Sequence, residues 1–298
     1  MAMKRRDFLA YSVLFLSGCS GATIANSPSP SSTPISKRPT ELKFAVTDVS
    51  GLDELEQNFE PFRQALEAVV GMPISFYPVP NYSAAAPALL ANDLDLALAG
   101  PSEYLLLRGR AEAEPLVQVS RPNYYSVIMV RSDSGITSVA DLKGQTIAMR
   151  TEGSTAGHIF PMKLLMDAGV SPEDIQIKML DKKGVEALRT GDVEAWTDTH
   201  SRYLELVKEP GFEKDIVILA QGAPLPGDIF VANPSLGSSF IQELRSAMLT
   251  HQESLLTALA SSEANQKYRE SSMAIAQDSD YDTMRSIYRA VGLESAIQ

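Results

Sequence analysis

Short apolar segments alternate with amphipathic segments in the first part of the chain. The apolar segments are bounded by turn residues, which is typical of strands, and they lie at 42–46, 74–79 and 94–99. Apolar side chains then recur at spacings of three and four over 52–69, which predicts a helix in which Pro61 favours a kink. Further helices are predicted over 82–91 and from Ser102 as a capping residue. The alternation of strands and helices predicts a parallel sheet covered by helices.

A second unit of the same kind begins at Tyr124. Strands are predicted at 124–130, 146–149, 175–180, 193–197, 216–220 and 229–232. Helices are predicted at 153–168 and 185–190, and the tail after Ser238 has a helical pattern throughout. The sequence therefore predicts two α/β lobes with a ligand cleft between them, and it divides them into 41–119 plus 256–298 for lobe 1 and 120–255 for lobe 2. In such sheets, ligands bind at the carboxyl ends of strands, beside helix N-termini.

The first 40 residues are predicted to direct export. Basic residues precede the apolar run Phe8–Leu16, as in a signal peptide, and a pair of arginines leaves the twin-arginine and general export routes both open. Leu16–Cys19 resembles a bacterial lipobox, which predicts a lipoprotein signal peptide over 1–18 and lipidation of Cys19. The alternatives are a cytosolic N-terminus or a transmembrane anchor, although a span needs about 20 apolar residues. Residues 19–40 are rich in Ser and Pro, which predicts an extended tether.

Composition and motifs exclude several classes of function. The 298 residues include 26 Lys and Arg against 37 Asp and Glu, so the net charge is −11 and a nucleic-acid partner is not expected. The single cysteine excludes an intramolecular disulfide, and three histidines exclude a zinc-finger pattern. Neither a Gly-x-Ser-x-Gly nor a His-Glu-x-x-His motif occurs in the sequence. We therefore predict no enzyme activity, no metal and no cofactor.

The segment after the predicted strand at 146–149 carries the clearest candidate chemistry. Glycines flank Ser154, Thr155 and Ala156, and they let the backbone approach a ligand closely. The amides after Ser154 begin a helix, so they lack intrahelical partners and carry the positive end of its dipole. Together with two hydroxyl donors, they predict a small anion site. The alternative is that Ser154 only caps the helix, and a nucleotide P-loop is excluded because no Gly-Lys-Ser/Thr follows.

Five short motifs occur in order along residues 42–255: Asn81–Ala84, Leu94–Ala97 with Gly100-Pro101, Asn123–Val127, Gly153–Gly157 and Pro224–Asp228. Together they resemble the motifs of the phosphate/phosphite/phosphonate-binding proteins of ABC transporters, the periplasmic phosphonate-binding family. The resemblance implies a type II periplasmic binding protein, whose two lobes close on a ligand. It also implies an ABC permease in the inner membrane as partner.

The same resemblance implies roles for particular residues. The loop at Ser154 and Thr155 holds phosphoryl oxygens through both hydroxyls and the amide of Ala156. Two tyrosines, Tyr82 and Tyr124, donate from the other side, and Asp228 accepts from a protonated ligand oxygen. Without the resemblance, each tyrosine is equally well interpreted as a half-buried aromatic.

A further candidate comes from strand order alone. Ser102 begins a helix after a parallel strand, so its side chain is a candidate to face the cleft from the first lobe.

Two departures from the family pattern restrict the range of expected ligands. The glutamate that holds the ammonium of aminoalkyl phosphonates in the family aligns with Ser201, which removes the counter-ion. A family histidine aligns with Asp181 or, after a shift of one residue, with Lys182. His158 is a candidate replacement donor, with a core or solvent-facing histidine as the alternative. We therefore expect a compact ligand: phosphite, methylphosphonate or phosphate.

These features predict a periplasmic, lipid-anchored, monomeric substrate-binding protein that delivers a small phosphorus oxyanion to an ABC permease. A sensory oxyanion-binding lipoprotein would use the same site, so the sequence does not separate sensing from transport. A phosphoester hydrolase is the third alternative, but the sequence places no obvious base beside Ser154.

Overall fold

Two β-sheets organise the part of the chain that the structure describes, which is residues 38–49 and 51–298 of a computed structural model. The predicted signal peptide 1–18, Cys19 and most of the predicted tether lie outside the described residues. The strands are β1 Leu42–Val46, β2 Ile74–Phe76, β3 Leu96–Ala99, β4 Glu114–Val119, β5 Tyr125–Arg131, β6 Thr146–Met149, β7 Gln176–Met179, β8 Ala195–Thr199, β9 Ile216–Pro224, β10 Asp228–Ala232 and β11 Met273–Ile275. The α-helices are α1 Leu52–Val70, α2 Ala85–Leu90, α3 Pro101–Ala111, α4 Phe160–Asp167, α5 Gly184–Thr190, α6 His200–Leu206, α7 Phe212–Asp215, α8 Ser238–Thr250, α9 Gln252–Leu259 and α10 Asp282–Ala290.

Both sheets are mixed, with parallel and antiparallel pairs of strands. The first sheet has the order β11-β4-β10-β3-β1-β2 and the second β7-β6-β8-β5-β9. The strand β10 lies antiparallel between β3 and β4, and β5 lies antiparallel between β8 and β9. Each of these two strands is the first that the chain forms after it crosses from one sheet to the other. The parallel sheet predicted from the strands at 42–46, 74–79 and 94–99 is confirmed for β1, β2 and β3. The strand β11 is antiparallel to β4.

One lobe boundary differs from the prediction. The strand β10 belongs to the first sheet, and helix α8 packs against β4 and α1 of that sheet. Phe230 of β10 stacks on Phe62 of α1 with ring centroids 5.2 Å apart. Residues 228–255 therefore lie in lobe 1, not in lobe 2 as predicted, because an apolar pattern does not show which sheet a strand joins.

Three details of the elements differ as well. The strands β4 and β11 were not predicted, and β11 interrupts the tail that has a helical pattern. Helix α1 continues through Pro61. Helix α3 begins at Pro101 after Gly100, so Ser102 lies inside the first turn instead of capping it.

Apolar side chains cover both faces of each sheet. Along β3, Leu96 and Leu98 pack in one cluster with α1, α8 and α9, whereas Ala97 and Ala99 pack in another with α2, α3 and α10. This alternation follows from the period of two along a strand. Two smaller clusters cover the second sheet. No helix within the described residues combines the length and the apolar character that crossing a bilayer requires.

Two chain segments join the lobes, 120–124 between β4 and β5, and 225–227 between β9 and β10. They run in contact, since the amide of Leu225 donates to the carbonyl oxygen of Tyr124 at 2.9 Å. A Cβ added at Gly227 would overlap the carbonyl oxygen of Val119, so glycine is required for this approach. We call these two segments the crossings.

Candidate functional site

A cavity of about 530 Å³ lies where the carboxyl ends of strands from both sheets meet the crossings. Lobe 1 contributes the residues that follow β1 and β3, and lobe 2 those that follow β6, β7 and β8, as strand order predicts. Six of the predicted binding residues line it: Tyr82, Tyr124, Ser154, Thr155, Ala156 and Asp228. Ser102 and His158 are not part of its wall.

The loop after β6, residues 150–157, is held by hydrogen bonds to its own lobe; we call it the anion loop. The hydroxyls of Ser126 and Thr197 donate to the carbonyl oxygens of Ala156 and Gly157, at 2.7 and 2.6 Å. The amide of His158 donates to the carbonyl oxygen of Ser154. The amides of Thr155, Ala156 and Gly157 are therefore those that a helix start leaves without intrahelical partners. The backbone of the loop is thus fixed with free donors in its first turn.

Ser154 occupies the N-cap position of this turn, yet its side chain makes no capping hydrogen bond within the described residues. The hydroxyl of Thr155 is engaged differently. It accepts from the amide of Ser102 at 3.0 Å and lies 3.5 Å from Oε2 of Glu103, and Thr155 is only 3% exposed. Thr155 therefore links the anion loop to the first turn of α3, while the hydroxyl of Ser154 is available to the cavity.

Ser102 and His158, the two predicted residues outside the cavity wall, form hydrogen bonds with the anion loop. Ser102 is fully buried and contributes its backbone amide to Thr155. Nδ1 of His158 accepts from the amide of Gly153 at 3.0 Å, which stabilises a turn in which Gly153 has a φ of +88°. Burial lowers the pKa of His158, so its neutral form is favoured.

Both predicted tyrosines are suited to donate hydrogen bonds. Burial raises the pKa of Tyr82 and of Tyr124 above the ordinary tyrosine value. Their phenols therefore keep their protons at neutral pH. The guanidinium of Arg121 lies over the ring of Tyr124 at 3.7 Å from its centroid, which holds that ring in place.

Asp228 lies at the centre of a buried charged cluster. Nη1 of Arg121 donates to its two oxygens at 3.2 and 3.4 Å, and the hydroxyl of Tyr268 donates at 2.6 Å. Lys267 lies 3.9 Å from Asp228 and 3.1 Å from Asp48. A carboxylate offers about four lone-pair sites, so Asp228 retains capacity to accept from a ligand as well.

A second partly buried arginine, Arg150, lies at the start of the anion loop. Nη1 of Arg150 donates to both oxygens of Asp198, which is 1% exposed, at 3.0 Å, and Nε pairs with Asp181. The carboxylate of Asp181, which aligned with the family histidine, is thus paired with Arg150, a guanidinium that it shares with Asp198. Lys182 and Ser201 also line the cavity, and the hydroxyl of Ser201 donates to Thr199 at 3.0 Å.

Sequence reasoning missed both arginines and the Lys267–Tyr268 pair. Arg121 follows β4, which was not predicted, so its position after a strand end gave no signal. Arg150 did follow a predicted strand directly, and that position was the available signal. Within residues 38–49 and 51–298, no group of three or more His, Cys, Asp or Glu side chains is arranged to hold a metal ion.

The two lobes, the crossings and the cavity between the carboxyl ends of their strands have the architecture of a periplasmic binding protein. The sequence model of the family described as ABC transporter, phosphonate, periplasmic substrate-binding protein matches residues 44–281. The chain belongs to this family.

Individual relatives are more distant. The phosphate-import protein PhnD of Mycolicibacterium smegmatis is 25% identical over 251 residues, which are 78% of this chain and 77% of the relative. The structure of PhnD1 from Prochlorococcus marinus in complex with methylphosphonate is 20% identical with a TM-score of 0.70, over 86% of this chain and all of that one. A Xanthomonas citri protein bound to ATP is 16% identical with a TM-score of 0.73, over 87% of this chain and all of that one. These structures share the fold.

Proposed function

We propose that the protein is the exported, lipid-anchored substrate-binding protein of an ABC transporter for a small phosphorus oxyanion, which we expect to be phosphite, methylphosphonate or phosphate. One observation carries the proposal. The hydroxyl of Ser154 makes no capping bond and sits with free amides on a cavity that two protonated tyrosines also line. Such donors recognise oxyanions without a metal.

The relatives support a phosphorus ligand, since one is named for phosphate import and another was solved with methylphosphonate. The relative solved with ATP shows that the fold also accepts larger phosphorus compounds. Ser201 at the family's glutamate position still favours a ligand without an ammonium group.

The alternatives differ from transport in the step that comes after binding. A sensory lipoprotein would use the same cavity, and neighbouring genes for a permease and an ATPase would favour transport. A hydrolase would need a base beside Ser154. His158 is a poor candidate, because its Nδ1 already accepts from the amide of Gly153.

Titration calorimetry of the purified protein tests the proposed ligand. We expect phosphite or methylphosphonate to bind best, and sulfate and aminoethylphosphonate poorly. Sulfate brings no proton to share with Asp228, so two anionic groups would face each other. Tight sulfate binding, aminoethylphosphonate as the best ligand, or no binding of any phosphorus oxyanion would contradict the proposal.

Lipid anchoring is tested separately in cells. Cys19→Ser removes the thiol that the lipobox predicts to be lipidated, so we expect the protein to leave the membrane fraction and become soluble. Immunoblots of fractionated cells measure this, with wild-type protein as control. Retention of the variant in the membrane would show that Cys19 is not the anchor.

A further inference from the structure

Glu103 faces the anion loop from the opposite lobe, and the contacts proposed for the oxyanion do not use it. It lies in the first turn of α3, lines the cavity and is 4% exposed. Its carboxyl group packs over Gly100, where any Cβ would overlap Oε2. The same Oε2 lies 3.5 Å from the hydroxyl of Thr155. The group is therefore held in place at the edge of the predicted ligand position.

The surroundings of Glu103 favour its neutral form. Burial is the main reason that the pKa of Glu103 is raised to about 8, and the charges of Asp48 and Asp228 act in the same direction. A hydrogen bond from the backbone amide of Glu103 and the charge of Lys267 oppose them. Lys267 is itself engaged by Asp48 at 3.1 Å. A protonated carboxyl group has one O–H donor, which an ionised one lacks.

We propose that Glu103 is a ligand-binding residue of the anion site, whose protonated carboxyl group donates to an oxygen of the bound oxyanion and whose ionised form excludes that oxyanion. This inference rests on the proposed function of the cavity. With the Thr155 hydroxyl beside Oε2, the other oxygen, Oε1, is left to carry the proton. An ionised carboxylate next to a buried anion is strongly unfavourable, because charges interact strongly in a low dielectric.

Six other charged or titratable groups face Glu103 from the surrounding elements: Asp48, Tyr82, Tyr124, Asp228, Lys267 and Tyr288. Burial raises the pKa of all three tyrosines above the ordinary value. Burial alone would raise the pKa of Asp48, but the charge of Lys267, its hydrogen bond to Asp48 and the charges of Arg121 and Arg150 together outweigh burial and lower that pKa. The tyrosines therefore stay neutral and Asp48 stays ionised between pH 7 and 9, the range in which Glu103 loses its proton.

The proposal predicts a loss of affinity in alkaline solution. If only the protonated form binds, a group with a pKa of about 8 leaves about a tenth of the protein competent at pH 9, so binding weakens about tenfold relative to pH 7. Glu103→Gln keeps a neutral donor of similar shape, so we expect near wild-type affinity at pH 7 without this loss. Calorimetry with methylphosphonate at both pH values measures it. The ligand titrates identically with both proteins, so the difference between them belongs to Glu103.

Proton uptake gives a second measurement that a purely structural role would not change. At pH 9, wild-type protein should take up close to one more proton on binding than Glu103→Gln, as measured in buffers of different ionisation enthalpy. Glu56→Gln, which removes an exposed carboxylate outside the cavity, should behave like wild type.

The outcomes separate this inference from the proposed function. Parallel pH profiles for wild type and Glu103→Gln, or equal proton uptake, would overturn the role of Glu103 while leaving oxyanion binding intact. Weak binding by a Glu103→Gln protein that melts normally at pH 7 would also overturn it. Absence of binding by wild type at pH 7 would instead overturn the proposed function.

Discussion

Arg121→Met is expected to lower the free energy of unfolding by about 3–5 kcal/mol, because it leaves a buried carboxylate without its main counter-charge. Asp228 is 3% exposed, and Arg121 supplies both of its guanidinium contacts. The substitution also removes the cation over the ring of Tyr124. Urea unfolding followed by the fluorescence of Trp196, which is fully buried, measures the change.

Two further variants test the cause of that loss. Arg121→Met with Asp228→Asn has no uncompensated charge, so it should recover much of the lost stability. Arg289→Met removes an exposed ion pair with Glu294 and should change stability by less than about 1 kcal/mol. If the double variant is as unstable as the two single changes added together, the buried charge is not the reason for the loss.

Ser154→Ala is expected to weaken ligand binding about ten- to hundredfold, since a hydrogen bond to a charged group contributes roughly 1.5–3 kcal/mol. The melting temperature should stay near that of wild type, because the Ser154 side chain makes no capping bond. Calorimetry with the best phosphorus oxyanion measures the affinity, and Ser254→Ala on the exposed surface of α9 is the control.

Thr155→Val provides the contrast. It removes the acceptor of the Ser102 amide and leaves a buried N–H unpaired, so it should lower stability by about 1–3 kcal/mol as well as affinity. Unchanged affinity in Ser154→Ala, with or without effects in Thr155→Val, would mean that the ligand lies elsewhere in the cavity.

The sequence predicted those parts of the fold and site that depend on local pattern. The anion loop was predicted because glycines, hydroxyls and a helix start are adjacent in the chain, and the family resemblance added Tyr82 and Tyr124. Two of the predicted donors turned out to lie behind the loop, since a residue's position in a helix does not specify the direction of its side chain. Ser102 and His158 are examples.

Long-range pairing was not predictable in the same way. Which carboxylate pairs with Arg121 depends on the crossings lying side by side, and strand periodicity contains no information on that contact. The raised pKa of Glu103 depends on its burial between lobes, whereas its local sequence, an acid in the first turn of a helix, is that of an ordinary exposed residue.

The position of β10 between β3 and β4 also determines the order in which the protein can fold. Its pairing with β3 joins residues on the order of 130 positions apart, so loop closure makes this contact slow. Residues 120–227, by contrast, form the second sheet from one continuous stretch. During synthesis, all strands of the second sheet are therefore present before β10 has been made. The first sheet lacks the strand that lies between β3 and β4 until the chain has passed residue 232. A nascent chain shorter than that exposes one edge of β3 and both edges of β4, because β11 also lies beyond residue 232, and unpaired strand edges of this kind favour aggregation.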